Sequence, residues 1–337
     1  MNKTVPTPRS VLARLTSLLV FVLAVAFTSL PSILSAQTSY YTYQSGDWGT
    51  ATTWTTDASG ITSVGAAVPT SADNVTILNG YTVTTGGANR TVTALTVSAG
   101  GMLNINNASF AAHSFGTVSG QGTIRSASGV IGGTANYTAF LGTSGGTFQF
   151  EATADFVLPG GAGNTTIGST TVTSYRNLVL NLDVSTRVAT IAQNSLNVTG
   201  NLTITRGTLQ FNDATDRRVI VDVDGNITVA ANGRIRVGLG NPLNVTVGTA
   251  AAPYSMVAGG GFNHPAIGQY HYVNHQLFVG GDFTNAGDVR FHNQTIRRYY
   301  QMPGLTRANG VLAAEEGAVN VFFNGAQNNT VTCNGST

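Results

Sequence analysis

The chain has 337 residues, a formal net charge of +2 and only 9% charged residues, where a soluble domain averages roughly 25%. Cations this sparse form no basic stripe that could follow a phosphate backbone, which argues against nucleic acid as a partner. Gly (41 residues) and Thr are abundant while Lys and Glu are nearly absent, so β-branched residues and turn formers dominate and the composition reads as all-β.

Lys3, Arg9 and Arg14 flank the start of an apolar run at 15–30, and Leu34-Ser35-Ala36 supplies a small-residue cleavage site. That is the layout of a secretory signal peptide over residues 1–36. A transmembrane anchor is the rival reading of so long a run, but Ser and Thr dilute it and Pro31 ends it. The mature chain is expected outside the cell, secreted or held at the outer surface. Its one cysteine, Cys333, has no internal partner, so the fold must rely on its core and its ladder hydrogen bonds.

Residues 37–93 read as an N-terminal cap and first coil. They hold both tryptophans, Trp48 and Trp54, and four of the eleven tyrosines. The open end of a stack of strands exposes core and unpaired edges, so these rings are expected to cover it. An exposed sugar-binding platform is the functional alternative. The runs 74–77 and 81–84 flank Asn79-Gly80 and read as a hairpin or a coil corner.

From residue 94 to 337 one phrase recurs: an apolar-alternating run, a Gly-containing turn, and a second alternating run. It gives Leu95, Val97, Leu103 and Ile105, then Val118 and Ile124, then Phe148, Phe150, Phe156 and Leu158, then Leu178, Leu180 and Leu182. The clearest copies are VTGNLTITRGTLQF (198–211), VDGNITVAANGRIRV (223–237) and VGGDFTNAGDVRF (279–291). Gly200 to Gly225 is 25 residues, and Gly225 to Gly281 is 56, about two steps plus an insertion. Short strands at that period predict a single-stranded, right-handed parallel β-helix (β-solenoid) with an N-terminal cap; a sandwich would want longer strands and hairpin turns. Inward residues would stack from coil to coil, with Gly and Asn at corners that need positive φ. The rhythm breaks at 250–276 and 302–317, which are expected to project as loops, and the tail stops in mid-coil, as in a longer protein.

The passages SGDWGTATTW, YRNLVLNL, LNVTGNLTITRGTLQF, VGGDFTNAGDVRF and VNVFFNGAQNNTV resemble secreted, adhesin-like parallel β-helix proteins of Bacteroidetes. The resemblance implies a repetitive cell-surface protein and export by a type IX secretion system, and it supplies no catalytic motif to carry over.

Several residues are candidates for chemistry. Asp213, Asp216, Asp222 and Asp224 form the densest carboxylate cluster. On a strand Asp222 and Asp224 would share one face about 7 Å apart, as acid–base pairs or Ca²⁺ ligands do on lyases and hydrolases. The bland alternative is a solvated face balanced by Arg217 and Arg218; DVDGN lacks the full calcium-loop spacing. His264, His271, His275 and His292 with Asp282 and Asp288 raise zinc, but His271 and His275 would lie about 13 Å apart on a continuous strand. Polar loop histidines beside Tyr270 and Tyr272 are the plainer account. Arg297, Arg298, Tyr299 and Tyr300 mix charge and aromatics as sugar sites do, or protect a strand edge. The Asn-x-Thr triplets at Asn197 and Asn226 arise from the repeat itself.

The expected function is a non-enzymatic, adhesin-like surface protein that binds polysaccharide or another surface polymer through Tyr270, His271, Tyr272, His275, Arg298 and Tyr299. A polysaccharide lyase or glycosidase on the same fold is the alternative, and would need Asp213, Asp222 and Asp224 gathered beside Arg217 or Arg236. A passive spacer for a further domain is the third.

Overall fold

A computed structural model of the chain describes residues 37–161, 163–211, 218–238, 271–292, 315–326 and 328–334, with short strands at 245–246, 256–257, 261–262 and 311–312. The predicted leader and much of 250–276 and 302–317 lie outside the described residues. The fold is all-β and built on long parallel sheets, an arrangement compatible with a β-helix; its helical content among the described residues is a few single turns such as Thr138–Leu141.

The long sheet follows the chain in order. It runs from Gly46–Asp47 through Thr82–Thr84, Met102–Ile105, Thr123–Ser126, Thr147–Phe150, Asn177–Asn181, Leu202–Phe211, Ile227–Val237 and Phe283–Asn285 to Val331–Cys333. Every pairing along this path is parallel. The register places Thr82 beside Met102, Met102 beside Thr123, Leu202 beside Ile227 and Ile227 beside Phe283. The last two steps reproduce the 25- and 56-residue spacings of the Gly-Asn phrase.

Alternation along these strands decides what is buried. Val83, Leu103, Ile124, Phe148, Leu178, Leu202, Ile227 and Phe283 stand side by side in register, and all are buried. Each strand presents its intervening Thr, Asn, Gln or Arg outward, as period-2 side-chain placement requires. Phe148 also meets Phe150, Tyr137 and Tyr175 at centroid distances of 5.0, 6.1 and 6.5 Å, an aromatic cluster in the middle of the core.

The strands of two further sheets alternate along the chain with those of the long sheet. Near the N-terminus, Trp54–Thr55, Ser39–Thr42, Asn74–Ile77, Thr91–Val97 and Ser114–Ser119 form a five-stranded sheet. Further on, Ser195–Val198, Ile220–Val223, His271–Val279 and Glu315–Phe323 form a four-stranded parallel sheet. Asn74–Ile77 and Thr82–Thr84 belong to different sheets, so Asn79-Gly80 turns a corner and closes no hairpin. Trp48 and Trp54 are buried. Their rings meet edge to face at 5.0 Å, the Trp54 indole N–H donates to the Trp48 carbonyl at 2.8 Å, and Trp48 stacks on Phe115 at 5.5 Å. Neither ring is an exposed sugar platform.

The corner glycines answer to two causes: Gly80, Gly100 and Gly120 take the positive φ expected at corners, 82°, 78° and 104°, while others are required by space. Gly207, within Leu202–Phe211, also takes a positive φ of 101°. Gly200, Gly225 and Gly281 are not among the positive-φ glycines; space requires them. The Asn177 side-chain oxygen accepts the Asn201 N–H at 2.9 Å, Asn201 accepts from Asn226 at 2.8 Å, Asn226 from Asp282 at 2.8 Å, and Asp282 from Thr330 at 2.7 Å. This ladder of side chains lies against the glycine of the next rung. A Cβ on Gly225 would sit 2.5 Å from the Asn201 oxygen and 2.6 Å from the Gly200 carbonyl oxygen.

Candidate functional site

The outer face of the four-stranded sheet carries Asp222, the one member of the Asp213, Asp216, Asp222 and Asp224 cluster that stands on a described strand. In Ile220–Val223, Val221 and Val223 are buried, so Ile220 and Asp222 face outward. The same alternation turns Ser195 and Asn197 outward on the preceding strand, and Gln276 and Phe278 outward on the next. Glu315–Phe323 adds Asn320 and Phe322.

Register gathers these residues into two columns. Asn197 pairs with Asp222, Asp222 with Phe278, and Phe278 with Phe322. Beside them run Ser195, Ile220, Gln276 and Asn320. Neighbouring strands lie about 4.8 Å apart, so each column extends over roughly 14 Å. The Phe278 and Phe322 rings stack at 4.9 Å with planes 18° apart, and Phe322 is 40% exposed. Among these eight outward residues only Asp222 carries a charge. Partial burial, followed by the charge of Asp224, raises the Asp222 carboxyl above its ordinary range.

Asp224 has left the strand, which ends at Val223, and is exposed in the turn. The two carboxylates are therefore neighbours, but they are not paired on one strand as expected. Arg236 is elsewhere, on Ile227–Val237 of the long sheet, bonded to Asp288. Burial works to raise the Asp288 carboxyl, but hydrogen bonds and charge from Arg236 and Arg290 outweigh it and hold it below the carboxylate norm. Asp213, Arg217, His264, Tyr270, Arg297, Arg298, Tyr299 and Tyr300 lie outside the described residues.

The histidine expectation changes more. His271 and His275 stand in His271–Val279, so the end of 250–276 is strand. His271 and Tyr272 pair in register with Glu315 and Glu316. His275 has the parity of Leu277 and Val279 and is fully buried, so it is a core residue and not a surface ligand contact. Its Nδ1 accepts the Val219 N–H at 3.0 Å. His113 is its counterpart in the N-terminal part: it is buried, and its Nδ1 accepts the Arg90 N–H at 2.9 Å. In both, the next residue's N–H donates back to the same partner, Ser114 to the Arg90 carbonyl and Gln276 to the Val219 carbonyl. Desolvation, with Arg90 nearby in one case and Arg218 in the other, lowers each imidazole to about 4. Asp282 serves the side-chain ladder. Among the described residues no group of three or more His, Cys, Asp and Glu is placed to hold a metal ion.

Sequence reasoning missed Asn197, Phe278 and Phe322. The signal was there once the copies are stacked: Leu196-Asn197-Val198, Val221-Asp222-Val223, Leu277-Phe278-Val279 and Val321-Phe322-Phe323 each precede the corner turn, and the middle letters make the column. Compared with protein-family models, curated proteins and solved structures, the chain matches none. Among the described residues no helix is long and apolar enough to cross a membrane.

Proposed function

We propose that this chain is a right-handed parallel β-helix, secreted or displayed at the outer cell surface, that binds polysaccharide or a similar surface polymer without cleaving it. The observation that carries the reading is the register: strands of the long sheet pair parallel and in sequence order from Gly46 to Cys333. A chain that returns to the same sheet in this way leaves its outward columns free to vary while its inward columns are held by packing. The outward columns here are dominated by Thr, Asn and Gln with few charges, and the four-stranded sheet adds an outward aromatic pair, half-buried Phe278 and exposed Phe322. Such open, extended faces suit long polymers better than small molecules, which are held in concave sites. The resemblance to adhesin-like β-helix proteins of Bacteroidetes points the same way.

A catalytic reading of this face would rest on Asp222 and Asp224, since a raised carboxyl beside a second one is what acid–base work requires. A polysaccharide array probed with the purified protein, followed by assay of each bound polymer for new reducing ends or unsaturated products, separates the two. Binding without products is expected. Cleavage of any bound polymer would replace this reading with the enzymatic one.

A further inference from the structure

From the Phe278–Phe322 strip, we propose that the column Asn197–Asp222–Phe278–Phe322, with Gln276 and Asn320 beside it, is a binding site for an uncharged glycan strand. This rests on the polymer-binding reading above and narrows it to one face and one class of ligand.

The first argument is parity. Phe323 belongs to the inward column of Val198, Val223 and Val279, so its presence follows from the core even though it is 44% exposed. Phe278 and Phe322 belong to the outward column, where the preceding rungs carry Asn197 and Asp222. No core position calls for them. Two outward rings stacked at 4.9 Å make a flat apolar strip across two rungs.

The second argument is the surroundings of the strip. A pyranose presents one apolar C–H face and a rim of hydroxyls, so it needs a flat ring with donors and acceptors at the edge, as other amphipathic ligands do. Gln276 and Asn320 occupy adjacent outward positions two residues before the rings. Their amides both donate and accept, which suits vicinal hydroxyls. Asn197 and Asp222 extend the polar edge along the column.

The third argument is charge. Asp222 is the one charged residue among the eight outward positions, and it is negative. A uronate or sulfated polymer would bring like charge against it, whereas a neutral sugar offers hydroxyl protons for the carboxylate to accept. The column spans roughly 14 Å, longer than one sugar ring, so the ligand is an oligosaccharide segment lying along the ladder.

The test is affinity electrophoresis of the purified protein in gels containing xylan, mannan or mixed-linkage β-glucan, with polygalacturonate as the charged counterpart. Retardation by at least one neutral polymer is expected, with little by polygalacturonate. Phe322→Ala should weaken that binding about tenfold or more, Phe322→Trp should restore most of what alanine loses, and Asp222→Asn should raise affinity for polygalacturonate and so narrow the gap between the neutral and the charged polymers. Far-UV circular dichroism checks that each variant keeps its β-structure, and Phe322, being exposed, is the substitution least able to disturb the core. Neutral-polymer binding unchanged by both Phe322→Ala and Phe278→Ala would overturn this site and leave polymer binding standing. Preference for polygalacturonate would overturn the uncharged class. A concentration-dependent dimer abolished by Phe322→Ala would assign the strip to a second copy and also overturn it. No retardation by any polymer would overturn both this site and the broader reading.

Discussion

Replacing Gly225 by alanine isolates the packing at the corner of one rung. Gly225 is not in the left-handed region, so alanine carries no φ penalty there. The cost comes from space. The new methyl would lie 2.5 Å from the Asn201 side-chain oxygen, 2.6 Å from the Gly200 carbonyl oxygen and 2.8 Å from the Gly200 carbonyl carbon. Two of those three atoms are backbone of the preceding rung, which is tied to Gly225 by its N–H at 2.9 Å. The rung can therefore relieve the clash only by opening that hydrogen bond. Overpacking of this kind costs about 1–3 kcal/mol, and losing the bond adds about 1 kcal/mol. Gly87 is the control: nothing lies within 4 Å of its Cβ position and its φ is not positive. Gly87→Ala should be neutral or stabilise by about 0.4–1 kcal/mol through the unfolded chain. Urea unfolding followed by far-UV circular dichroism measures both. A Gly225→Ala protein as stable as the parent would refute the rung contact that explains the Gly-Asn phrase.

Three other outcomes follow from the same geometry. Phe148→Ala removes a fully buried ring from the aromatic cluster and should cost about 3–5 kcal/mol in the same unfolding assay, against less than about 1.5 kcal/mol for Phe148→Leu if the column repacks. Asn226→Ala withdraws the acceptor from the Asp282 N–H and should cost about 0.5–1.5 kcal/mol, whereas Asn226→Asp, which keeps that oxygen, should be nearly neutral; equal losses for the two would contradict the ladder. His113 and His275, lowered to about 4 in the fold, titrate near 6.5 when unfolded, so between those values the unfolded chain binds the extra protons. Stability should therefore fall as pH drops from roughly 6.5 to 4, by at most about 1.4 kcal/mol per pH unit for each imidazole. His275→Gln should flatten that slope, read from urea midpoints at successive pH values, and an unchanged slope would show that His275 does not contribute to it.

Much of the repeat was legible because it is written in the letters that packing constrains. The Gly-Asn phrase marked the rungs, and the 25- and 56-residue steps from Gly200 to Gly225 and Gly281 are the steps of the ladder. The reason for those glycines was not legible, since a contact with a side chain 23, 24 or 55 residues earlier leaves no local trace. Gly200 is selected by Asn177 and Gly225 by Asn201, and only the register connects them. His275 was misread as a loop residue because 250–276 breaks the rhythm; its parity with Leu277 and Val279 would have put it inside. The Phe278–Phe322 strip stayed hidden for a related reason. Its two halves are 44 residues apart, with an irregular passage between them, and single phrases show one outward phenylalanine each.

The column is the claim on which the functional account depends, and cross-linking tests it directly. In a Cys333→Ser background, Asp222→Cys with Phe278→Cys places two thiols on adjacent rungs in register, with Cα atoms about 4.8 Å apart, within disulfide reach. Asp222→Cys with Gln276→Cys places them diagonally, about 8 Å apart and beyond it. Mild oxidation should give an intramolecular disulfide in the first variant and not in the second, read by non-reducing electrophoresis and peptide mass mapping. A bond in the diagonal pair alone would shift the register by two residues, and separate Asp222 from the phenylalanine strip.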